Sequence, residues 1–139
     1  MGGFVLMDYI LDTHIALWCL YDDSKLSAET FEIINNPDHN IYFSAVSVME
    51  IAIKHRKYPD SFNKDAQTFY QNSLDSDFYT MPLKPKHAIC MDTLKLKEGY
   101  THNDPFDRAL IAQAKKEGFK LLTHDAMLKH FDEECIMFV

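Results

Sequence analysis

Short apolar runs alternate with amphipathic stretches along the chain, and this alternation sets the expected elements. Residues 4–11 form an apolar run of strand length that stops at Asp12-Thr13. Residues 14–20 then place Ile15, Leu17, Trp18 and Leu20 at helical intervals with Asp12 or Thr13 as cap, so Asp12 stands at a strand-to-helix corner. Ser27 opens a second helix over 28–34, and 41–43 reads as a second strand. Ser44 or Ser47 opens the next helix. Val46, Val48, Met49, Ile51, Ala52 and Ile53 make it apolar around most of its circumference, which predicts extensive burial. Its one polar stripe is Ser47, Glu50, Lys54 and Lys57. After a break at 59–63 the pattern predicts a helix over 66–74, a strand over 78–83, a helix over 85–94 and a mobile, partly basic loop over 95–102. Asp104-Pro105 is a sharp helix start, since proline at the first helical position has no N–H to satisfy and the aspartate caps. That helix runs to Gly118, a helix-ending glycine. A strand at 119–123, a helix over 124–128 with Asp125 at its corner, and a strand at 135–139 complete the chain.

Strands and helices in alternation, without a good hairpin turn, predict an α/β sandwich on a central, mostly parallel twisted sheet, one domain covering 4–139. Its 139 residues suffice for a real core without staples. No apolar run approaches a membrane span, and the N-terminus lacks the pattern of a signal peptide, so the expected location is the cytoplasm. Cys19, Cys90 and Cys135 are odd in number and widely spaced, and read as reduced core residues. The net charge of −7 argues against a general nucleic-acid-coating protein. If five of the 21 acids cluster in one site, the remaining 16 nearly balance the 14 basic residues.

The candidate chemistry lies in those acids. Asp12, Asp104, Asp107 and Asp125 fall at helix starts or strand-to-helix corners, and helix capping accounts for each one singly. Capping does not account for Glu50. In a parallel α/β sheet the C-terminal strand ends open on one edge, where sites form, and Asp12 and Asp125 lie at such ends. The sequence offers no Gly-rich phosphate loop, Ser-His-Asp order or His-Glu-x-x-His motif as competing chemistry. Carboxylates clustered in a half-buried cleft repel unless a cation neutralises them, and all-oxygen ligands select a hard ion such as Mg²⁺ or Mn²⁺. His14, His102 and His124 adjoin three of the acidic blocks and leave a Zn²⁺ or histidine-base alternative open.

Four blocks, Leu11-Asp12-Thr13-His14, Val48-Met49-Glu50-Ile51-Ala52-Ile53-Lys54, Asp104-Pro105-Phe106-Asp107-Arg108-Ala109-Leu110-Ile111-Ala112-Gln113-Ala114 and Leu121-Leu122-Thr123-His124-Asp125, resemble PIN-domain proteins of the VapC toxin type. Met49 stands where such sequences often carry an aromatic residue, and residues 58–77 match none of the blocks. The resemblance implies a metal-dependent endoribonuclease with an α/β/α fold, the toxin of a type II toxin–antitoxin system, paired with a small VapB-like antitoxin and homodimeric. It places the acidic core on Asp12, Glu50, Asp107 and Asp125 with Asp104 as accessory acid, and supporting hydroxyls on Thr123 and Thr13. RNA also needs cations beside the metal, and Lys54, Arg56, Lys57, Lys95, Lys97 and Arg108 are the candidates. Two other functions fit the same sequence: a PIN-like protein-binding module without turnover, and a housekeeping RNA-processing nuclease.

Overall fold

The computed structural model describes residues 7–139. Among them, five strands alternate with six α-helices: β1 (Asp8–Leu11), α1 (Thr13–Tyr21), α2 (Ala28–Asn35), β2 (Asn40–Ser44), α3 (Ala45–Lys57), α4 (Ala66–Asp75), β3 (Tyr79–Met81), α5 (Pro85–Cys90), α6 (Pro105–Glu117), β4 (Lys120–Thr123) and β5 (Ile136–Phe138). The expected start of the first strand at Phe4 lies outside the described residues. Capping side chains fix the helix starts. Asp12, Ser27, Ser44, Asp65 and Asp104 each accept a backbone N–H of the first turn of α1, α2, α3, α4 and α6. At the far end of α6, Gly118 takes the left-handed conformation (φ 74°) that ends the helix, and its N–H donates to the Ala114 carbonyl.

The strands order as β3-β2-β1-β4-β5, and each of the four pairings is parallel, so the sheet is parallel throughout rather than mostly so. The chain builds outward from β1 in one direction to β3, then returns to the other side of β1 for β4 and β5. The order therefore reverses between β1 and β4, and the crevice outside their C-terminal ends is where such a fold places a site.

Successive strand residues alternate between two cores. Tyr9, Leu11, Ile41, Phe43 and Leu122 pack with Ile15 of α1, Ile51 of α3 and Phe69 of α4 on one side. Ile10 and Leu121 pack with Val46, Leu110, Ile111, Leu128 and Phe131 on the other. The result is the expected α/β/α sandwich, and α3 contributes to both layers.

Four elements differ from expectation. The 85–94 helix shortens to α5 and continues as a 3-10 turn over Met91–Thr93, and the 124–128 helix is a 3-10 turn over Ala126–His130. The 95–102 loop is pinned: Leu96 bridges Phe131, the Lys97 N–H donates to the His130 carbonyl at 2.8 Å, and the Lys95 N–H donates to Glu133 at 2.7 Å. In α3 Val46 and Ile51 are buried as expected, but the rest of the pattern is not. Met49 and Ile53 are 45% and 41% exposed, whereas Ser47 is fully buried and Glu50 only 7% exposed. The polar stripe faces inward because it meets other polar groups there. The cysteines are free: Cys90 is buried, and burial pushes the half-buried Cys19 and Cys135 thiols up to about 12 and about 11.

Candidate active site

The crevice between β1 and β4 gathers side chains from four elements. Asp12, directly after β1, accepts the Thr13 N–H on Oδ1 at 2.8 Å as the cap of α1, and the Thr123 hydroxyl of β4 donates to its Oδ2 at 2.6 Å. These bonds tie the two strand ends across the reversal point. Thr13 in turn donates its hydroxyl to Glu50 Oε1 at 2.6 Å. With that proton committed, the 2.8 Å contact between Ser47 and Thr13 has the Ser47 hydroxyl donating. Glu50 Oε2 takes the Lys54 ammonium at 2.5 Å, one turn along α3.

Asp107 lies in the first turn of α6 and is held from the preceding loop, where His102 Nε2–H donates to its Oδ2 at 2.8 Å. The loop itself is fastened by Arg108, whose guanidinium donates to the His102 carbonyl at 3.1 Å and the Met91 carbonyl at 3.0 Å and lies over the Phe131 ring. Asp104 is the exposed cap of α6, accepting the Phe106 and Asp107 N–H groups on one oxygen. Asp125 caps the 3-10 turn after β4 through the Met127 N–H at 2.9 Å, while its own N–H donates to the Thr123 hydroxyl at 3.1 Å.

Electrostatics shows the crowding of like charge. Burial, then repulsion from Asp104 and Asp12, pushes the Asp107 carboxyl up to about 6 against the His102 hydrogen bond. Burial likewise raises Asp12; the Thr123 and Thr13 bonds oppose it and the Glu50 charge adds to it. The only ammonium in this network is Lys54. Desolvation works against its charge, but the Glu50 hydrogen bond and the fields of Glu50, Asp104 and Asp107 outweigh it and hold its pKa above the usual lysine value.

Among the described residues no three acids, histidines or cysteines stand at separations that would hold one ion as drawn. Each acid is turned to a protein donor: Glu50 to Thr13 and Lys54, Asp107 to His102, Asp12 to Thr13 and Thr123. The donor chemistry nevertheless fits a hard divalent cation, because the groups are carboxylates and hydroxyls and their mutual repulsion favours added positive charge. A cleft of about 300 Å³ opens beside these acids, lined by Asp12, Asp125, His14, Trp18 and His124.

The family model for the PIN domain matches residues 9–134, which runs from β1 to beyond β4 and includes every acid just described. The chain belongs to the PIN domain family. Proteins of this family are generally nucleases. A comparison with the curated proteins finds no match. Among solved structures, the chain is similar to the crystal structure of VapBC2 from Rickettsia felis bound to a promoter DNA fragment, at 15% identity and a TM-score of 0.68, covering 96% of this chain and 99% of that one. It is also similar to a toxin–antitoxin complex from Klebsiella pneumoniae, at 17% identity and a TM-score of 0.57, covering 93% and 95%. At these identities the likeness is one of fold.

In this PIN domain, Asp12, Thr13, Glu50 and Thr123 form one hydrogen-bonded chain, and Asp107, in the first turn of α6, lies close enough to feel the Asp12 charge. Asp104 and Asp125 sit at the rim. Among the cationic candidates, Arg56, Lys57, Lys95 and Lys97 are exposed, and Lys54 is paired inside the site. Arg108, one of the candidate contacts for RNA, donates to two carbonyls of its own fold. The histidines do not gather with the acids into a metal-holding group among the described residues. His102 has a contact that the sequence left open: it is the direct partner of Asp107, and its signal was a histidine two residues before the Asp104-Pro105 helix start. Ser47 was legible only as part of a stripe, and Trp18 only as core.

Proposed function

We propose that this PIN domain is a metal-dependent endoribonuclease that hydrolyses RNA phosphodiester bonds. The observation that supports it most is the gathering of Asp12, Glu50 and Asp107 at the β1/β4 crevice, where burial first and like charge second raise Asp12 and Asp107 and one ammonium, Lys54, sits on Glu50. Asp12, Glu50, Asp107 and Asp125 would hold Mg²⁺ or Mn²⁺, with Asp104 as an accessory acid. When bound, such an ion supplies Lewis-acid stabilisation of charge on the phosphodiester and makes water a competent nucleophile at neutral pH. Thr13 and Thr123 hold the Glu50 and Asp12 carboxylates in orientation, and His102 does the same for Asp107. Arg56 and Lys57 at the end of α3, and Lys95 and Lys97 on the 95–102 loop, are exposed cations available to RNA phosphates.

The toxin–antitoxin complexes among the structural neighbours support a role as the toxin of a type II system restrained by a small VapB-like antitoxin; a homodimer acting in the cytoplasm completes the proposal. No helix of the described residues is long and apolar enough to cross a membrane. A second reading, a protein-binding module without turnover, is favoured by the Lys54 ammonium already seated on Glu50. Incubating the purified chain with structured RNA in Mg²⁺, Mn²⁺ or EDTA decides between the two. The nuclease cuts only with metal, and Asp12→Asn and Asp107→Asn abolish cutting while circular dichroism stays unchanged. Metal binding with every RNA intact would leave the module. A short reading frame immediately upstream that relieves growth arrest on co-expression distinguishes the toxin from a housekeeping nuclease.

A further inference from the structure

The three ring-bearing residues of the cleft make no hydrogen bond to the acid network, yet they share its opening. His14 and Trp18 lie one turn apart on α1, the helix that Asp12 caps, so the same helix start delivers a carboxylate and two rings to one mouth. His124 comes from the opposite side, between Thr123 and Asp125. Its orientation is fixed: Nδ1 is 2.9 Å from the Val139 carbonyl oxygen, and its ring meets Trp18 edge-on at 5.6 Å and 67°. His14 is braced between Trp18 at 6.2 Å and Phe62 at 5.9 Å. Trp18 is half-buried against the core, whereas His14 and His124 are exposed. The larger depression at the opposite edge of the sheet, lined by Lys95, Lys115 and Lys120, has no such feature, because Lys115 is paired with Glu133 and Lys120 with the Glu134 carbonyl.

We infer that the cleft lined by His14, Trp18 and His124 is a nucleobase subsite, in which a base of the strand flanking the cut bond stacks on Trp18. The inference rests on the ribonuclease reading above and names where the substrate's base goes. An aromatic face beside a group of carboxylates suits this occupant. With the cut phosphate assigned to the acids and their ion, the remaining wall of the cleft is His14, Trp18 and His124, and the neutral π-face of a base is the part of a nucleotide that such a wall holds. Stacking of this kind tolerates any base, since each presents a π-face. The subsite therefore sets the depth and direction of the strand rather than a strict sequence. Single-stranded or splayed RNA is the form that fits, because a paired base is not free to enter.

Trp18 is the chain's single tryptophan, so its fluorescence reports this cleft alone. The test uses the full chain carrying Asp107→Asn to prevent turnover, in Mg²⁺, titrated with a short 5′-labelled oligoribonucleotide. An abasic oligomer of the same length and charge is the control, and anisotropy of the label follows binding independently. Saturable quenching of Trp18 by the oligoribonucleotide, with binding but no quenching by the abasic oligomer, supports the subsite. In the otherwise wild-type enzyme, Trp18→Ala raises KM about tenfold with a smaller change in kcat, from the usual worth of base–aromatic stacking. His124→Ala, at an exposed position, raises it severalfold even if the tryptophan variant does not fold. Binding of the oligoribonucleotide without quenching, or cutting by both variants with an unchanged KM, overturns the subsite and leaves the ribonuclease reading intact. Base-dependent quenching in a chain whose wild-type form cuts no RNA keeps the subsite and removes the ribonuclease.

Discussion

Asp107 concentrates the competing demands of the site in one carboxyl group. Burial and the charges of Asp104 and Asp12 raise it to about 6, while His102 donates to it and works the other way. A carboxyl with a folded pKa above its ordinary value keeps a proton that the unfolded chain has lost. Between about 4 and about 6 the folded state binds more protons, so stability falls as pH rises through that window and stays reduced above it. Two pKa units correspond to on the order of 2–3 kcal/mol. Asp107→Asn is expected to flatten this slope and raise the urea midpoint at pH 7.5 relative to wild type, while removing activity. An unchanged slope between pH 4 and 6 in the variant would assign it to another group, Asp12 first, whose shift has the same sign. Thr123 acts in the opposite sense. Its hydroxyl is a direct donor to buried Asp12, so Thr123→Val leaves that carboxylate without a partner on Oδ2 and is expected to cost about 1–3 kcal/mol at neutral pH, read from the same denaturation curves.

At the scale of the element, α3 shows what the sequence made legible and what it did not. Its start at Ser44, like those at Ser27 and Asp104 and the stop at Gly118, was readable because caps are local chemistry acting within one turn. Its orientation was not. The apolar circumference suggested burial of Met49 and Ile53, yet the helix turns Ser47 and Glu50 inward, because Thr13, 34 and 37 residues away in sequence, offers hydrogen bonds that no local pattern reveals. The pinned 95–102 loop is the same case: its ties to His130, Phe131 and Glu133 come from the far end of the chain. The inward stripe makes Lys54 the resident cation of the site, and Lys54→Met removes it. Glu50 is then buried with the Thr13 hydroxyl but no ammonium, an expected loss on the order of 1–3 kcal/mol, discounted because Lys54 is 28% exposed. The same vacancy of charge makes added cation more stabilising. The increment in Tm from Mg²⁺ should therefore exceed that of wild type, and an equal or smaller increment would remove Lys54 from the site's charge balance.

The whole molecule explains why these acids depend on folding to act together. They arrive from the end of β1, the middle of α3, the start of α6 and the end of β4, and only the parallel order with its reversal between β1 and β4 brings them to one crevice. The alternation of strand and helix made that architecture legible, because a chain without hairpin turns and with two-sided apolar strands has few other ways to close. The order of strands was not legible, since pairing depends on contacts between distant runs. The unfolded chain scatters the same acids over more than 110 residues and has no equivalent site, so a divalent cation held by the folded crevice would stabilise it by mass action. At a concentration about a hundredfold above its Kd, Mg²⁺ or Mn²⁺ is expected to add about 2.7 kcal/mol, a rise in Tm of several degrees in a chain of this size. Asp12→Asn combined with Asp107→Asn should abolish that rise, and EDTA should reverse it in wild type. This measurement needs no RNA, so it separates the metal from the substrate: a rise that persists undiminished in the double variant would mean that the ion binds elsewhere on the surface and that the crevice is not its site.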